Sequence, residues 1–235
     1  MASSRATARQ RQQQLSDTAL SSQKRAAATA AAELIEDGMR VGLGSGSTVA
    51  HLLPAIADRG CKDLRCVATS PGTESAARAL GLNVEALDEV GELDIAIDGA
   101  DQIDGSGWLV KGGGGAHTRE KIVAASARRF VVIASANKAV RELAPPVPLE
   151  LVAFGVQRTL LSLDPARLRG VEQSPDGGLI ADYLGPVGDP RELAARLSAA
   201  PGVVEHGLFG PELVSLILIA GEGAVERRAG AKRES

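Results

Sequence analysis

Between Asp94 and Lys121 the chain reads DIAIDGADQIDGSGWLVKGGGGAHTREK, gathering carboxylates, two lysines and a four-glycine run into one short stretch. Leu93 to Ile97 is an apolar run that stops abruptly at Asp98-Gly99-Ala100-Asp101. That is the pattern of a buried strand delivering acids at its carboxyl end, where packing has no use for them. Lys111 then precedes Gly112, Gly113, Gly114 and Gly115, a backbone that can take any φ and approach a ligand closely. Helical periodicity follows, with Ile122, Val123 and Ala127 on one stripe, so the glycines abut a helix N-terminus and turn N–H groups toward an anion. Arg119 and Glu120 lie on the opening turns. On the residues alone Glu120 reads equally well as a solvated helix position.

A second cluster, Gly42-Leu43-Gly44-Ser45-Gly46-Ser47-Thr48, sits between a brief strand, Arg40 to Leu43, and a helix carrying Leu52, Leu53 and Ile56. Strand, glycine loop, helix is the order that makes a phosphate site. N–H groups at the helix start carry partial positive charge, and the hydroxyls of Ser45, Ser47 and Thr48 donate to phosphate oxygens. Ser47 stands where the last glycine of a dinucleotide fingerprint belongs, and no Lys precedes the hydroxyl pair as a P-loop requires. The expected ligand is a small phosphate ester.

These residues need elements to hold them. The periodicity predicts a first helix over Ser22 to Asp37 and further strands at Leu64 to Thr69, Val84 to Leu87 and Phe130 to Ala134, with a helix from Thr73 to Leu80. The alternation makes a mostly parallel, doubly wound sheet. Beyond Pro145-Pro146-Val147-Pro148 the order changes. Strands at 150–152, 168–172, 179–183 and 203–208, with helices at 155–163 and 191–199, give β-α-β-β-α-β, the split βαβ of ferredoxin-like modules. Val214 to Ala220 returns to the first sheet. The expected organisation is a disordered tail over residues 1–22, a Rossmann-like catalytic domain over 23–144 with 212–228, a ferredoxin-like lid over 145–211, and a frayed AGAKRES end.

With 235 residues the chain can bury a sizeable core without disulfides. A net charge of −3 and 2% aromatics offer neither a basic field nor stacking platforms, which argues against a nucleic-acid partner. Cys61 and Cys66 match no zinc or redox motif and read as reduced apolar fillers, and His51, His117 and His206 have no ligand spacing, so no metal is expected. No apolar run reaches the roughly 20 residues of a membrane helix. Arg5, Arg9 and Arg11, with no acid before Asp17, are the one hint of an organelle transit peptide. The cytoplasm is the expected compartment.

GLGSGSTV, IDGADQID, LVKGGGGAHTREKIVA, FVVIASANK, PVPLELVAFG and PGVVEHGLF, in that order over roughly Gln23 to Glu226, resemble the ribose-5-phosphate isomerase A family. The resemblance implies a cofactor-independent interconversion of ribose 5-phosphate and ribulose 5-phosphate in the pentose phosphate pathway, by a homodimer. It implies Glu120 as the base between C1 and C2, with Asp98, Asp101 and Lys111 around the sugar oxygens. Ser45, Gly46, Ser47, Thr48 and Lys138 then hold the phosphate and nearby hydroxyls, and Gly99, Ala100 and Gly112 to Gly114 line the substrate. An enediolate needs such a carboxylate base and donors for its oxyanion, which Lys111 and the glycine N–H groups can supply. The chain departs from the family pattern at Ser45 (commonly Thr), Gln102 (commonly Glu), His117 (generally aliphatic) and the Ser174 to Gly178 turn. The competing readings are a non-catalytic sugar-phosphate sensor, which would lose the base, an NAD-dependent dehydrogenase, which Ser47 disfavours, and an isomerase of another sugar phosphate.

Overall fold

The structure, a computed structural model, describes residues 2–232. Met1 and residues 233–235, the outermost parts of the two expected tails, lie outside it. The first helix, α1 (Ala2–Ala32), is followed by β1 (Arg40–Leu43), α2 (Val49–Arg59), β2 (Arg65–Ala68), α3 (Pro71–Ala79), α4 (Leu87–Val90) and β3 (Leu93–Gly99). Two short strands, β4 (Gln102–Ile103) and β5 (Leu109–Val110), lead to α5 (His117–Ala125) and β6 (Ala127–Ser135). The second unit contains β7 (Val147–Leu151), α6 (Val156–Ser162), β8 (Ala166–Leu168), β9 (Leu179–Tyr183), α7 (Pro190–Ser198) and β10 (Val203–His206). The chain ends through β11 (Leu208–Phe209), β12 (Leu216–Ala220) and β13 (Val225–Ala229).

The main sheet has the order β13-β12-β6-β3-β1-β2, parallel except for β13, which runs antiparallel to β12. Counting only its parallel strands, this is the doubly wound order 2-1-3-4-5. The order of strand addition reverses between the parallel strands β1 and β3, and ligands bind in the crevice beyond the carboxyl ends at such a point. The loops after those two strands are Gly44–Thr48 and Ala100–Asp101, the two stretches with the densest chemistry. Side-chain alternation then decides which groups meet. Ile95 and Ile97 pack on one face with Ala27, Ala28 and Ala31 of α1 and Leu52 and Ile56 of α2, whereas Ala96 packs on the other with Val123 and Ala124 of α5. Two residues beyond Ala96, Asp98 shares the face of α5.

The second sheet has the order β10-β7-β9-β8, all antiparallel. Numbered within the unit it is 4-1-3-2, the ferredoxin-like arrangement expected from the β-α-β-β-α-β order. Polar contacts tie this unit to α5. Arg119 makes a two-pronged pair with Asp176 at 2.7 Å, Lys121 reaches Glu205 at 2.6 Å, and Thr118 donates to the buried Glu150. Asp176 belongs to the SPDGG turn, which forms as expected through Ser174 and Gly178.

Several local expectations change. Helix α1 begins at Ala2, because the stretch expected as a disordered tail over 1–22 contains neither Gly nor Pro and is rich in helix-forming Ala, Gln and Arg. It ends at Ala32, short of Asp37, where Leu34 and Ile35 make tight three-residue bonds that turn Ile35 into the core. Val84 makes only an isolated bridge to Cys66, and Leu87 opens α4, whose first turn carries Asp88 and Glu89 against the helix dipole. The strand expected over Leu168 to Glu172 lies earlier, at Ala166–Leu168, with Gly170 beyond its end. The frayed end is partly strand: β13 includes Ala229, and Gly230 and Lys232 donate to Ser215 and Val214 carbonyls. Cys61 and Cys66 are both free, and burial pushes the Cys66 thiol up to about 11, as befits an apolar filler.

Ser16 to Ala19 are exposed, while Ala27, Ala28, Ala31 and Ala32 are at most 2% exposed. A chain starting at Gln23 should therefore keep its activity and melting temperature to within a few degrees, and one starting at Glu33 should not fold. Thermal melts of the two truncations check this, and a large drop for the shorter cut would show that residues 2–22 are docked.

Candidate active site

Asp98, Lys111 and Glu120 come from three different elements and meet in one buried cluster. Lys111 Nζ lies 2.9 Å from Asp98 Oδ2 and 3.1 Å from Glu120 Oε2, and it donates to the Gly99 carbonyl at 2.5 Å. The three side chains are no more than 5% exposed. Lys111 is delivered by a small sheet, β11-β5-β4, that the sequence does not reveal because two-residue strands carry no period. Its backbone N–H donates to Gly207, and its ammonium stands 5.4 Å from the centre of the Phe209 ring. Glu120 reaches the cluster because α5 starts immediately after the glycine run and points its first turn inward.

The approach is close enough to dictate composition. A Cβ on Gly44 would fall 2.0 Å from the Asp98 carboxyl, so only glycine lets the loop after β1 lie against that acid. Gly112 has φ +97, and a Cβ there would sit 2.7 Å from the His117 ring. His117 is fully buried beside this turn, and burial holds its imidazole below the usual range.

Burial first, and the neighbouring Glu120 second, push Asp98 up to about 7, with Lys111 pulling the other way. The same two carboxylates outweigh burial at Lys111 and hold its ammonium above the ordinary range, so it stays charged. Asp98 Oδ1 also accepts from the Ser45 and Gly99 N–H groups, at 3.0 and 2.7 Å. A single fixed cation between two acids in a dry pocket polarises any carbonyl or enolate oxygen placed beside it.

A cavity of about 300 Å³ opens above this cluster, lined by Ser45 to Thr48, Gly99 to Asp101, Lys111 to Gly114, Glu120 and Lys138. Every residue expected from the sequence therefore faces one space, except Asp98, which lies beneath it. Three of the expected donors already have partners within the protein. Ser45 donates its hydroxyl to Glu120 Oε1 at 2.6 Å. The Gly113 N–H is taken by Asp101 at 2.9 Å, and the Gly115 N–H by the Gly112 carbonyl, so neither is directed at a developing oxyanion. Lys138 stands 4.0 Å from Asp101, another residue of the cavity lining.

Residues that motif reading misses are Ser70, Ala116 and Lys24. Ser70 caps α3 by accepting from Thr73, whose hydroxyl pins the Gly44 carbonyl, and the Ser70-Pro71 pair was its available signal. Lys24 on α1 reaches across to the Ser47 hydroxyl at 3.0 Å, a contact between distant elements with no local signature. A larger groove of about 900 Å³ lies between α3, α5 and the second unit, lined by Arg78, Arg119, Glu150 and Asp176 among others. Arg119 pairs there with Asp176 and Arg78 with Glu74, and Glu150 accepts from the Thr118 and Ser174 hydroxyls, so volume alone does not mark it as the site of chemistry.

A buried carboxylate held by an ammonium, beside a hydroxyl-rich loop at a helix start, has the equipment to move a proton on a carbon next to a carbonyl while gripping an anion at the far end. On this fold that defines a sugar-phosphate isomerase class. Residues 65–224 match the family of ribose 5-phosphate isomerase A, also called phosphoriboisomerase A. Ribose-5-phosphate isomerase A of Caulobacter vibrioides is 48% identical over 202 residues, covering 80% of this chain and 89% of its own. That of Methylorubrum extorquens is 44% identical over 219 residues, covering 85% and 93%. Among solved structures, ribose 5-phosphate isomerase A from Neisseria gonorrhoeae superposes with a TM-score of 0.86 at 29% identity, over 91% of this chain and 98% of its own. A D-ribose-5-phosphate isomerase in complex with phospho-erythronic acid gives 0.83 at 31% identity, over 89% and 99%. The chain belongs to the ribose 5-phosphate isomerase A family.

Proposed function

We propose that this ribose-5-phosphate isomerase works through Glu120 as the base, Lys111 as the electrostatic partner of the enediolate, and Asp98 and Asp101 as holders of the sugar oxygens. The observation that carries the reading is the buried Glu120–Lys111–Asp98 cluster under a cavity whose other end is a phosphate-type loop. With the open-chain aldehyde bound, Glu120 takes the proton from C2, and the electron pair moves onto the carbonyl oxygen beside Lys111. Return of that proton to C1 and transfer of the O2 hydroxyl proton to O1 complete the ketose. Nothing is oxidised or reduced overall, so no redox cofactor is required. A phospho-erythronic acid combines a phosphate with a planar anionic carboxylate, the shape and charge of an enediolate, and its complex with a related isomerase supports the same reading. A coupled assay for ribulose 5-phosphate formed from ribose 5-phosphate tests it directly.

The phosphate falls to Ser47, Thr48 and the α2 N-terminus, with Lys138 and Lys24 as the cations nearest that end. Lys138→Ala should raise KM for ribose 5-phosphate about tenfold or more with a smaller change in kcat, and free ribose should be a very poor substrate. Comparable kcat/KM for ribose and ribose 5-phosphate would remove the phosphate assignment.

The same reading takes residues 145–211 as a lid over a catalytic unit of 23–144 with 212–228, docked through Arg119, Lys121 and Thr118. It sets the reaction in the cytoplasm, where phosphorylated sugars are retained. It also includes a homodimer, for which the strongly exposed Phe154, Leu161 and Val171 of the second unit are apolar surface that a second copy could cover. Analytical ultracentrifugation decides the oligomeric state.

A further inference from the structure

Ser45 was expected at the phosphate and neighbouring hydroxyls, yet both of its hydrogen-bond donors are turned toward carboxylates of the reaction centre. Its N–H donates to Asp98 Oδ1 at 3.0 Å and its hydroxyl to Glu120 Oε1 at 2.6 Å. On the opposite side Lys111 holds the other oxygen of each acid, Asp98 Oδ2 and Glu120 Oε2. Two buried carboxylates beside one ammonium would repel and rotate if that ammonium alone restrained them. The phosphate end of the loop is two residues further on, where the Ser47 hydroxyl meets Lys24.

From this bridging geometry we infer that Ser45 is a positioning residue for the catalytic base: it fixes the rotation of the Glu120 carboxylate and its spacing from Asp98, and it does not bind the phosphate. Gly44 makes this possible, since any side chain there would displace Asp98 from the loop. Thr73 secures the same turn through its hydroxyl bond to the Gly44 carbonyl at 2.9 Å. The inference rests on the assignment of Glu120 as the base and adds the residue that aims it.

The test compares Ser45→Ala and Ser45→Thr with the parent full-length enzyme. Loss of a hydrogen bond to a charged group corresponds to about a ten- to hundredfold loss in rate. Ser45→Ala should therefore lose that much kcat while KM for ribose 5-phosphate stays within about twofold. The acidic limb of its kcat/KM profile should move to higher pH, because a carboxylate deprived of a donor protonates more readily. Ser45→Thr keeps the hydroxyl and should restore both rate and profile. A tenfold rise in KM at parent kcat would make Ser45 a phosphate ligand, and unchanged kinetics and profile would make it a bystander. Either outcome overturns the inference. Loss in both variants with the acidic limb unmoved would also overturn it, pointing to a packing role. Glu120→Gln, measured alongside, separates the two claims: if it keeps parent activity the base assignment fails by itself, whatever Ser45 does.

Discussion

Glu120→Gln should turn over ribose 5-phosphate about 10²–10⁴ times more slowly than the parent enzyme while binding it with nearly the same affinity. The amide keeps the size of the carboxylate, and its oxygen can still accept from Ser45, so the cavity keeps its shape. What it cannot do is take a proton from carbon. Its effect falls on kcat because the lost interaction exists only along the proton-transfer coordinate. Following isomerisation in heavy water at saturating substrate, with EDTA present, measures turnover and solvent exchange at the reacting carbons together. Near-parent kcat in Glu120→Gln would move the base elsewhere, and loss of the parent reaction in EDTA would bring a metal into it.

Lys111→Met should lose both rate and stability, which distinguishes it from Glu120→Gln. Removing the ammonium takes away the charge that faces the developing enediolate, a loss on the order of 10²–10³ in kcat for a single electrostatic donor. It also leaves Asp98 and Glu120 buried together with no cation between them. Breaking a buried pair from one side costs about 3–5 kcal/mol, which for a chain of this size corresponds to roughly 6–20 °C in melting temperature.

The stability deficit should depend on pH. Asp98 is pushed up to about 7 even with Lys111 present, and removing the cation raises it further. A carboxyl whose folded pKa exceeds its unfolded value contributes most below the unfolded value, near 4, and loses that contribution as pH climbs to the folded value and beyond. Relative to the parent, Lys111→Met should be least impaired near pH 4–5 and most impaired above pH 7. Adding Asp98→Asn should recover much of the melting temperature but none of the rate. A variant with parent stability across this range would show that the cluster is not electrostatically coupled as the distances imply.

Much of this site was legible because it is built from three contiguous motifs. The stop of the apolar run at Asp98, the glycines after Lys111 and the hydroxyl-rich loop after β1 each carry a local physical signature, and the cavity brings all of them together. Glu120 had no such signature. On the page of the sequence it is one acid on an exposed-looking helix turn, and only the family resemblance singled it out. Lys24 had none at all, since it lies twenty-three residues before the hydroxyl that it touches. The long α1 shows the converse error: composition read as disorder for residues 1–22 is equally the composition of a helix when no Gly or Pro interrupts it.

Sequence alone determined the alternation of strands and helices, the loop chemistry at the carboxyl ends of β1 and β3, and the ferredoxin-like order of the second unit, because periodicity and glycine placement act over a few residues. The tertiary structure decided which oxygen faces which donor. It set the Ser45 hydroxyl on Glu120, committed the Gly113 N–H to Asp101, and set Lys111 between two acids by way of a three-stranded sheet too short to leave a pattern. Hydrogen bonds and ion pairs are sensitive to tenths of an ångström and to the burial of all three chain segments at once, and such distances arise only when remote elements pack.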